Sequence, residues 1–463
     1  MSSSGADLLI ALTRDSSATL QSQIERQILA AVRSGSLRPG TALPSTRELA
    51  LELGVSRPIV VDAYAQLGAE GYLTLRQGAR PRIAATAQPV KAATIVPTPD
   101  AEPMRYDFRP GVPDLSSFPK SEWLKASHAA LAKMTAADFG YSDRYGSKVL
   151  REALADYLGR VRGVVADPEQ VMITSGFEQG RAFTARALAR LGVKKIAVES
   201  PGYSDWHALT DAGLELIPIE VDEHGLQTDV LERSEAQAIM VTPAHQYPSG
   251  VVMSGERRLA LVAWLRAKDA FAVEDDYDAE FRYDRAPVGA LQGLDPEHVV
   301  YAGTASKTLA PALRLGWLVV PDRLLEAVRW EQQVADYGCS RTEQHALAEL
   351  IARGDFDRHL RRMRGIYRDR REALLSALAE ELPEATIGGV AAGLHATVRL
   401  PECRNEAAIR AAAARRSVGL EFISRHYITQ PNAPTTLLLG YARGPESSIR
   451  TGIRALAAAL REG

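Results

Sequence analysis

Cysteine is nearly missing. Cys339 and Cys403 are the two in 463 residues, too few for a disulfide framework or a thiolate metal site, so no metal is expected. Such usage fits a reducing cytoplasm. Long apolar runs are also missing: none approaches the ~20 residues that span a bilayer, and no membrane partner is expected. The opening MSSSGADLLIALTRDSS puts no basic residue ahead of its short apolar run, which argues against a signal peptide. Net charge is small, 55 basic against 57 acidic residues or −2. That excludes a polybasic, histone-like chain, but not a small DNA-binding domain diluted by a larger acidic one.

The rest of the composition, 46% hydrophobic and 24% charged, is ordinary for a globular protein. At ~150 residues per domain the length suggests about three structural units. From Ala84 to Glu102 the chain reads AATAQPVKAATIVPTPDAE, rich in Ala, Pro and Thr and without a hydrophobic period. That composition makes an extended linker. Taking the linker as 85–104 leaves an N-terminal domain at 18–84 and a large C-terminal domain at 105–463. Charge divides there too. Residues 1–83 hold nine arginines, no lysine and seven acids, a net +2, and the remainder is −4. The sign suits DNA binding by the first domain.

In the N-terminal domain, Thr19 to Val32 has Leu20, Ile24, Ile28 and Ala31 on one helical face. Ser45 then caps a second helix, with Glu48 in capping-box register. Gly54 supplies a turn, and Ser56 caps a third helix carrying Val60, Ala63, Tyr64 and Leu67 on one face. Two short helices around a Gly turn form a helix-turn-helix, whose second helix enters the major groove. GYLTLRQGARPRI then reads as a two-stranded wing with Gly78 at its tip. Ser45, Arg47, Ser56, Arg57, Gln77, Gly78 and Arg80 are the candidate contacts to double-stranded DNA, arginine being able to bond a guanine edge bidentately. An αα-hairpin used for packing, with the arginines as a solvated face, is the alternative.

In the large domain, VMITSG, KKIAVES, AIMVTP, FAVEDDY and VVYAGTASK read as buried parallel strands, and RAFTARALARLG and ERRLALVAWLRAK as helices between them. That rhythm predicts an α/β sheet layered by helices, with ligands beyond the carboxyl ends of the strands. Lys307 follows one such strand, with Thr304 and Ser306 before it and Arg314 seven residues on. A lysine at an apolar sheet edge can condense with an aldehyde, and hydroxyls with an arginine suit a phosphate. Taken alone, Lys307 reads sooner as a surface lysine. Asp275 and Tyr277 share one side of an extended segment, where a carboxylate can face a pyridine nitrogen and a phenol a ring oxygen. Taken alone they read equally as a charged strand end. Ser175–Gly176 leads into a helix, an anion site by its free N–H groups.

The motifs LPSTRELA, GVSR and AEGYL resemble the winged helix-turn-helix of the GntR family of bacterial regulators. Ile59 and the wing-tip GARP depart from that family's usual Thr and GSG-T. The lysine, aspartate and Ser-Gly motifs, in this order, resemble a fold-type I aminotransferase that binds pyridoxal 5′-phosphate (PLP). The resemblance implies a Schiff base on Lys307, Asp275 at the pyridinium nitrogen, Tyr277 at the ring oxygen and Tyr203 stacked on the ring. It also implies Gly176, Phe177, Thr304, Ser306 and Arg314 around the phosphate, and Tyr141 reaching the neighbouring subunit's phosphate in a homodimer. Two features depart from it. Tyr247 of TPAHQYPSG stands where aminotransferases have the Asn of Asn-Pro-Thr-Gly, and Leu438 stands where they have the carboxylate-binding arginine. Arg425 and His245 are then the candidate effector contacts.

With both domains, and with RPGVPDLSSFP, HQYPSG and EDDYDAEFRY, the chain resembles the MocR/GabR family of PLP-dependent regulators, most of all members regulating vitamin B6 synthesis. The fold class expected is α/β multidomain: a winged helix-turn-helix, then a fold-type I transferase-like domain with a smaller C-terminal α+β part. The expected function is a cytoplasmic transcriptional regulator, not an enzyme though with residual transaminase activity left open, whose DNA binding is switched by PLP or by its adduct with an amino compound. An α-amino acid aminotransferase with an accessory N-terminal domain is one rival. A DNA-binding module on a cofactor-free dimerisation scaffold is the other.

Overall fold

Ser45 starts a helix by reciprocal bonding: its hydroxyl accepts the Glu48 N–H, and its own N–H donates to the Glu48 carboxylate at 2.8 Å. The helix Thr46–Leu53 runs from there to Gly54, whose φ of +62° ends it. Before it lies Leu20–Arg33, capped by Thr19, and after it Arg57–Ala69. Ser56 holds the N-cap position of the third helix but makes no side-chain cap bond. Expected there as a cap, it leaves the start of that helix to Pro58 in the first turn, where a missing N–H costs nothing. The three helices bury Ile24, Ile28, Leu49, Val60, Tyr64 and Leu67 in one core. Strands Leu73–Thr74 and Arg82–Ile83 pair antiparallel as the wing.

The computed structural model describes residues 10–86, 104–141, 144–283, 288–429 and 434–462. Residues 1–101 and 102–463 form two separate units. The expected linker at 85–104 lies, save for Ala85, Thr86 and Met104, outside the described residues.

All five strands expected in the large unit are present, within a sheet of eight. The order is Val171–Thr174, Gly316–Val319, Val299–Thr304, Phe271–Asp275, Ala238–Val241, Lys195–Ser200, Glu215–Asp222 and Gly225–Leu226. From Val299–Thr304 through Glu215–Asp222 neighbouring strands run parallel; Gly316–Val319 is antiparallel to both its neighbours. Val171–Thr174, Phe271–Asp275 and Val299–Thr304 are wholly buried, as strands covered on both faces must be, while Glu215–Asp222 near the sheet edge is largely exposed or half-buried. Helices Phe177–Arg190 and Gly255–Lys268 cover it, and bury Phe183, Leu188, Leu261 and Leu265. The smaller part is an antiparallel sheet of Thr386–Gly388, His395–Arg399, Thr436–Gly440 and Glu421–Phe422, with helices Asp355–Glu381, Glu406–Arg415 and Glu446–Glu462.

Three consecutive acids at the end of Phe271–Asp275 go three ways. Glu274 accepts the backbone N–H groups of Leu291 and Gln292. Asp276 accepts from Arg162 at 2.7 Å and from the Tyr301 hydroxyl at 2.8 Å. With both neighbours so engaged, Asp275 is left to face the carboxyl end of the sheet.

Candidate functional site

A cavity of about 380 Å³ opens at those strand ends, lined by Asp275, Tyr277, Thr304, Ser306, Lys307 and Arg314. Phe177 and Tyr203 line it as well. Lys307 Nζ donates to the Gly111 carbonyl at 2.6 Å. Burial lowers the pKa of its amine, and the charges of Asp275 and Asp278 oppose that shift. Asp275 is 6% exposed, and its Oδ1 has no hydrogen-bond partner among the described residues. Burial, then the charge of Asp276, push its carboxyl well above the usual range, with Lys307 pulling the other way. A buried carboxylate oxygen with no partner calls for a cation or a donor at that spot.

Beside it, the helix Phe177–Arg190 begins without a side-chain cap hydrogen bond, and its first two residues, Phe177 and Glu178, line the cavity. Gly176, at φ +88°, is not a lining residue; it permits the helix start, and a Cβ there would stand 3.4 Å from the Arg314 guanidinium. Arg314 donates to the Ser175 carbonyl at 2.6 Å, and the Thr304 and Ser306 hydroxyls are 3.0 Å apart. Together these groups make a cradle for an anion. The Tyr203 ring lies under the Arg181 guanidinium at 4.6 Å, with its hydroxyl on Glu178. A group with an anion at one end, a cationic ring nitrogen at the other and an aldehyde near Lys307 therefore fits the residues present.

Thr242, Tyr247, Asp278, Leu394 and His395 also line the cavity. Burial first, and then the neighbouring His245, push the His395 pKa down to about 3. Leu438 is fully buried in its strand. Three expected residues stand elsewhere. Arg425 is exposed and pairs with Glu421 at 3.4 Å, outside the cavity, because it leaves a short 3-10 turn toward solvent. His245 is buried behind the wall, against Tyr277 and Asp278. Tyr141 is 90% exposed and away from this cavity.

On the N-terminal unit, Arg47, Ser56, Arg57, Gln77, Gly78 and Arg80 are all exposed. Arg57 Nε reaches the Thr46 hydroxyl at 3.4 Å, so it lies across the turn between the two helices. Arg80 pairs with Glu48 at 2.7 Å, and Ser45 is engaged in the capping box.

Sequence reasoning missed Gly111, Glu178, Thr242, Asp278 and His395 as cavity residues. Gly111 and Asp278 lie inside motifs it singled out, RPGVPDLSSFP and EDDYDAEFRY. Nothing in the local sequence of His395 marks it, since its strand pairs with Thr436–Gly440 and its ring meets the Pro248 carbonyl, 147 residues away in the chain.

The fold and site define a class. The aminotransferase class I and II family matches residues 111–456, and the gntR family of bacterial regulatory proteins matches residues 20–83. The HTH-type pyridoxine biosynthesis transcriptional regulator PdxR of Corynebacterium glutamicum is 33% identical over 449 residues, 96% of this chain and 97% of that one. The probable rhizopine catabolism regulatory protein MocR of Rhizobium meliloti is 34% identical, over 98% of this chain and 96% of its own. Among solved structures, a kynurenine aminotransferase of Pyrococcus horikoshii matches at a TM-score of 0.71 and 26% identity, covering 78% of this chain and 92% of its own. The chain belongs to the MocR family of HTH-type transcriptional regulators, which join a GntR helix-turn-helix to an aminotransferase-like domain.

Proposed function

We propose that this regulator binds PLP at Lys307 and that the cofactor, alone or together with an amino compound, switches its hold on operator DNA. One observation carries the reading: the Lys307 amine, the partnerless Asp275 oxygen and the uncapped helix start beside Arg314 meet in a single cavity. When bound, PLP supplies an aldehyde for amines and a ring that draws electrons.

The chain's own residues have separate tasks. Lys307, its pKa lowered by burial, offers the nucleophilic amine. Asp275 keeps a proton on the ring nitrogen, Tyr277 meets the ring oxygen and Tyr203 packs on the ring. Phe177, Thr304, Ser306 and Arg314 hold the phosphate, and Gly176 serves by permitting the helix start beside them. Tyr141, exposed and away from its own cavity, reaches the phosphate of the partner subunit in a homodimer. Such a dimer presents two winged helices to two half-sites of double-stranded DNA, with Arg47, Ser56, Arg57, Gln77, Gly78 and Arg80 at the duplex. Ser45 serves by fixing the helix that carries Arg47. Regulation of vitamin B6 synthesis is the role that the likeness to PdxR supports.

Turnover of α-amino acids is disfavoured. Arg314, on the phosphate side, is the one arginine among the described lining residues, and the buried Leu438 offers a carboxylate nothing. The test is an absorbance titration of the PLP-loaded protein with a panel of amino compounds, with and without operator DNA. The expected result is a visible band that Lys307→Ala abolishes, with no sustained product release. Steady multi-turnover transamination would make the protein an enzyme instead.

A further inference from the structure

Tyr277 does not stand alone at the cavity wall. Its hydroxyl lies 3.1 Å from His245 Nδ1, and that same nitrogen lies 3.1 Å from both carboxylate oxygens of Asp278. His245 is 3% exposed and Asp278 1%. The relay is enclosed: a Cβ at Gly393 would collide with the His245 ring and the Asp278 carboxylate, and one at Gly250 would stand 3.4 Å from His245 Nε2.

The proton positions follow from the charges. An Asp278 carboxylate accepts only, so the imidazole nitrogen it faces must carry hydrogen. A proton on His245 Nδ1 would be shared between Asp278 and the Tyr277 oxygen. With its oxygen already accepting there, the phenol keeps its own O–H free to turn into the cavity. A lone pair on Nδ1 would instead draw the Tyr277 proton away from the cavity. At the nearby turn, Tyr247 provides no amide donor to do this work.

We propose that Asp278 and His245 form a relay that fixes the Tyr277 hydroxyl as a hydrogen-bond donor to the ring oxygen of bound PLP. His245 is thus a positioning residue, acting through Tyr277 and not by touching a ligand. The inference rests on the PLP reading above.

A donor on the ring oxygen favours its anionic form. Losing the donor makes the cofactor hold its shared proton more tightly, so the visible absorbance band should change at higher pH. The experiment is a pH titration of that band in PLP-loaded full-length protein, for wild type, His245→Leu, Tyr277→Phe, the double variant and His245→Asn. Asparagine places a side-chain N–H close to the position of Nδ1. His245→Leu and Tyr277→Phe should each raise the transition by about one pH unit, a tenfold change in proton affinity. The double variant should match Tyr277→Phe alone, since both remove one interaction. His245→Asn should stay near wild type. Asp275, Asp278, Tyr247 and Glu199, the other groups that act on Tyr277, stay in place throughout, so differences among variants report the relay.

A shift with Tyr277→Phe but none with His245→Leu would overturn the relay and leave the PLP site standing. No shift with either would remove Tyr277 from the ring oxygen. Absence of a visible band in wild type would defeat the PLP reading itself. If His245→Leu fails to fold, the Asn variant decides: its transition should sit near wild type and well below that of Tyr277→Phe, and a rise to the Tyr277→Phe value would overturn the proposal.

Discussion

Arg162 Nε and Asp276 Oδ2 meet at 2.7 Å with both side chains almost fully buried, and this ion pair backs the strand that ends at Asp275. Burial opposes the Arg162 charge, and the attraction of Asp276 outweighs it, so the arginine pKa is raised. Removing one partner leaves the other charged and unsolvated. Arg162→Leu should therefore cost about 3–5 kcal/mol of stability, measured by urea unfolding. It should also weaken PLP retention, because the neighbouring Asp275 loses its backing.

Ser45 makes a narrower case. Ser45→Ala removes the acceptor for the Glu48 N–H and half of a capping box. The expected cost is about 1 kcal/mol, confined to the helix Thr46–Leu53 and read as faster amide exchange there. DNA affinity should fall with it, since that helix supports the one after it.

Asp114 sets an acid-sensitivity test. Burial raises its pKa, but the Ser116 hydroxyl, Arg370 and Ser117 outweigh burial and hold it at about 2. A depressed folded-state pKa contributes stability that is present above the unfolded value near 4 and lost as pH falls toward 2. Wild type should thus lose more stability than Asp114→Asn between pH 4 and 2, as melting temperatures across that window will report.

Arg57 is exposed at the start of the helix Arg57–Ala69, touching Thr46 across the turn. If it reads a base edge, Arg57→Ala costs about 1–3 kcal/mol of specific binding. Footprinting upstream of the gene should lose its protection. Unchanged protection would mean that another element reads the duplex.

Much of this was legible because it is local. Strand runs such as VVYAGT and FAVED, the lysine after a strand, and Ser45 with Glu48 all declare themselves within a few residues. The aspartate that faces the cavity was legible by the same logic, since alternation separates Asp275 from its neighbours. Direction and distance were not. Arg425 lies next to the buried His426 yet points to solvent, a choice made by turn geometry and not by residue type. His395 and Gly111 reach the cavity through pairing with remote segments, which no local pattern encodes. His245 was noticed within its motif, but its contacts with Tyr277 and Asp278 were not legible, because they are side chains that the strand end delivers.

The central claim is that occupancy at Lys307 changes the hold on DNA. The most direct measurement is the affinity of the full-length protein for its operator with and without saturating PLP, beside Lys307→Ala under both conditions. A coupling of about 1–3 kcal/mol corresponds to a 5- to 150-fold change in affinity. Wild type should show such a change and Lys307→Ala none. Equal affinities in wild type with and without PLP, in protein that carries the visible band, would contradict it.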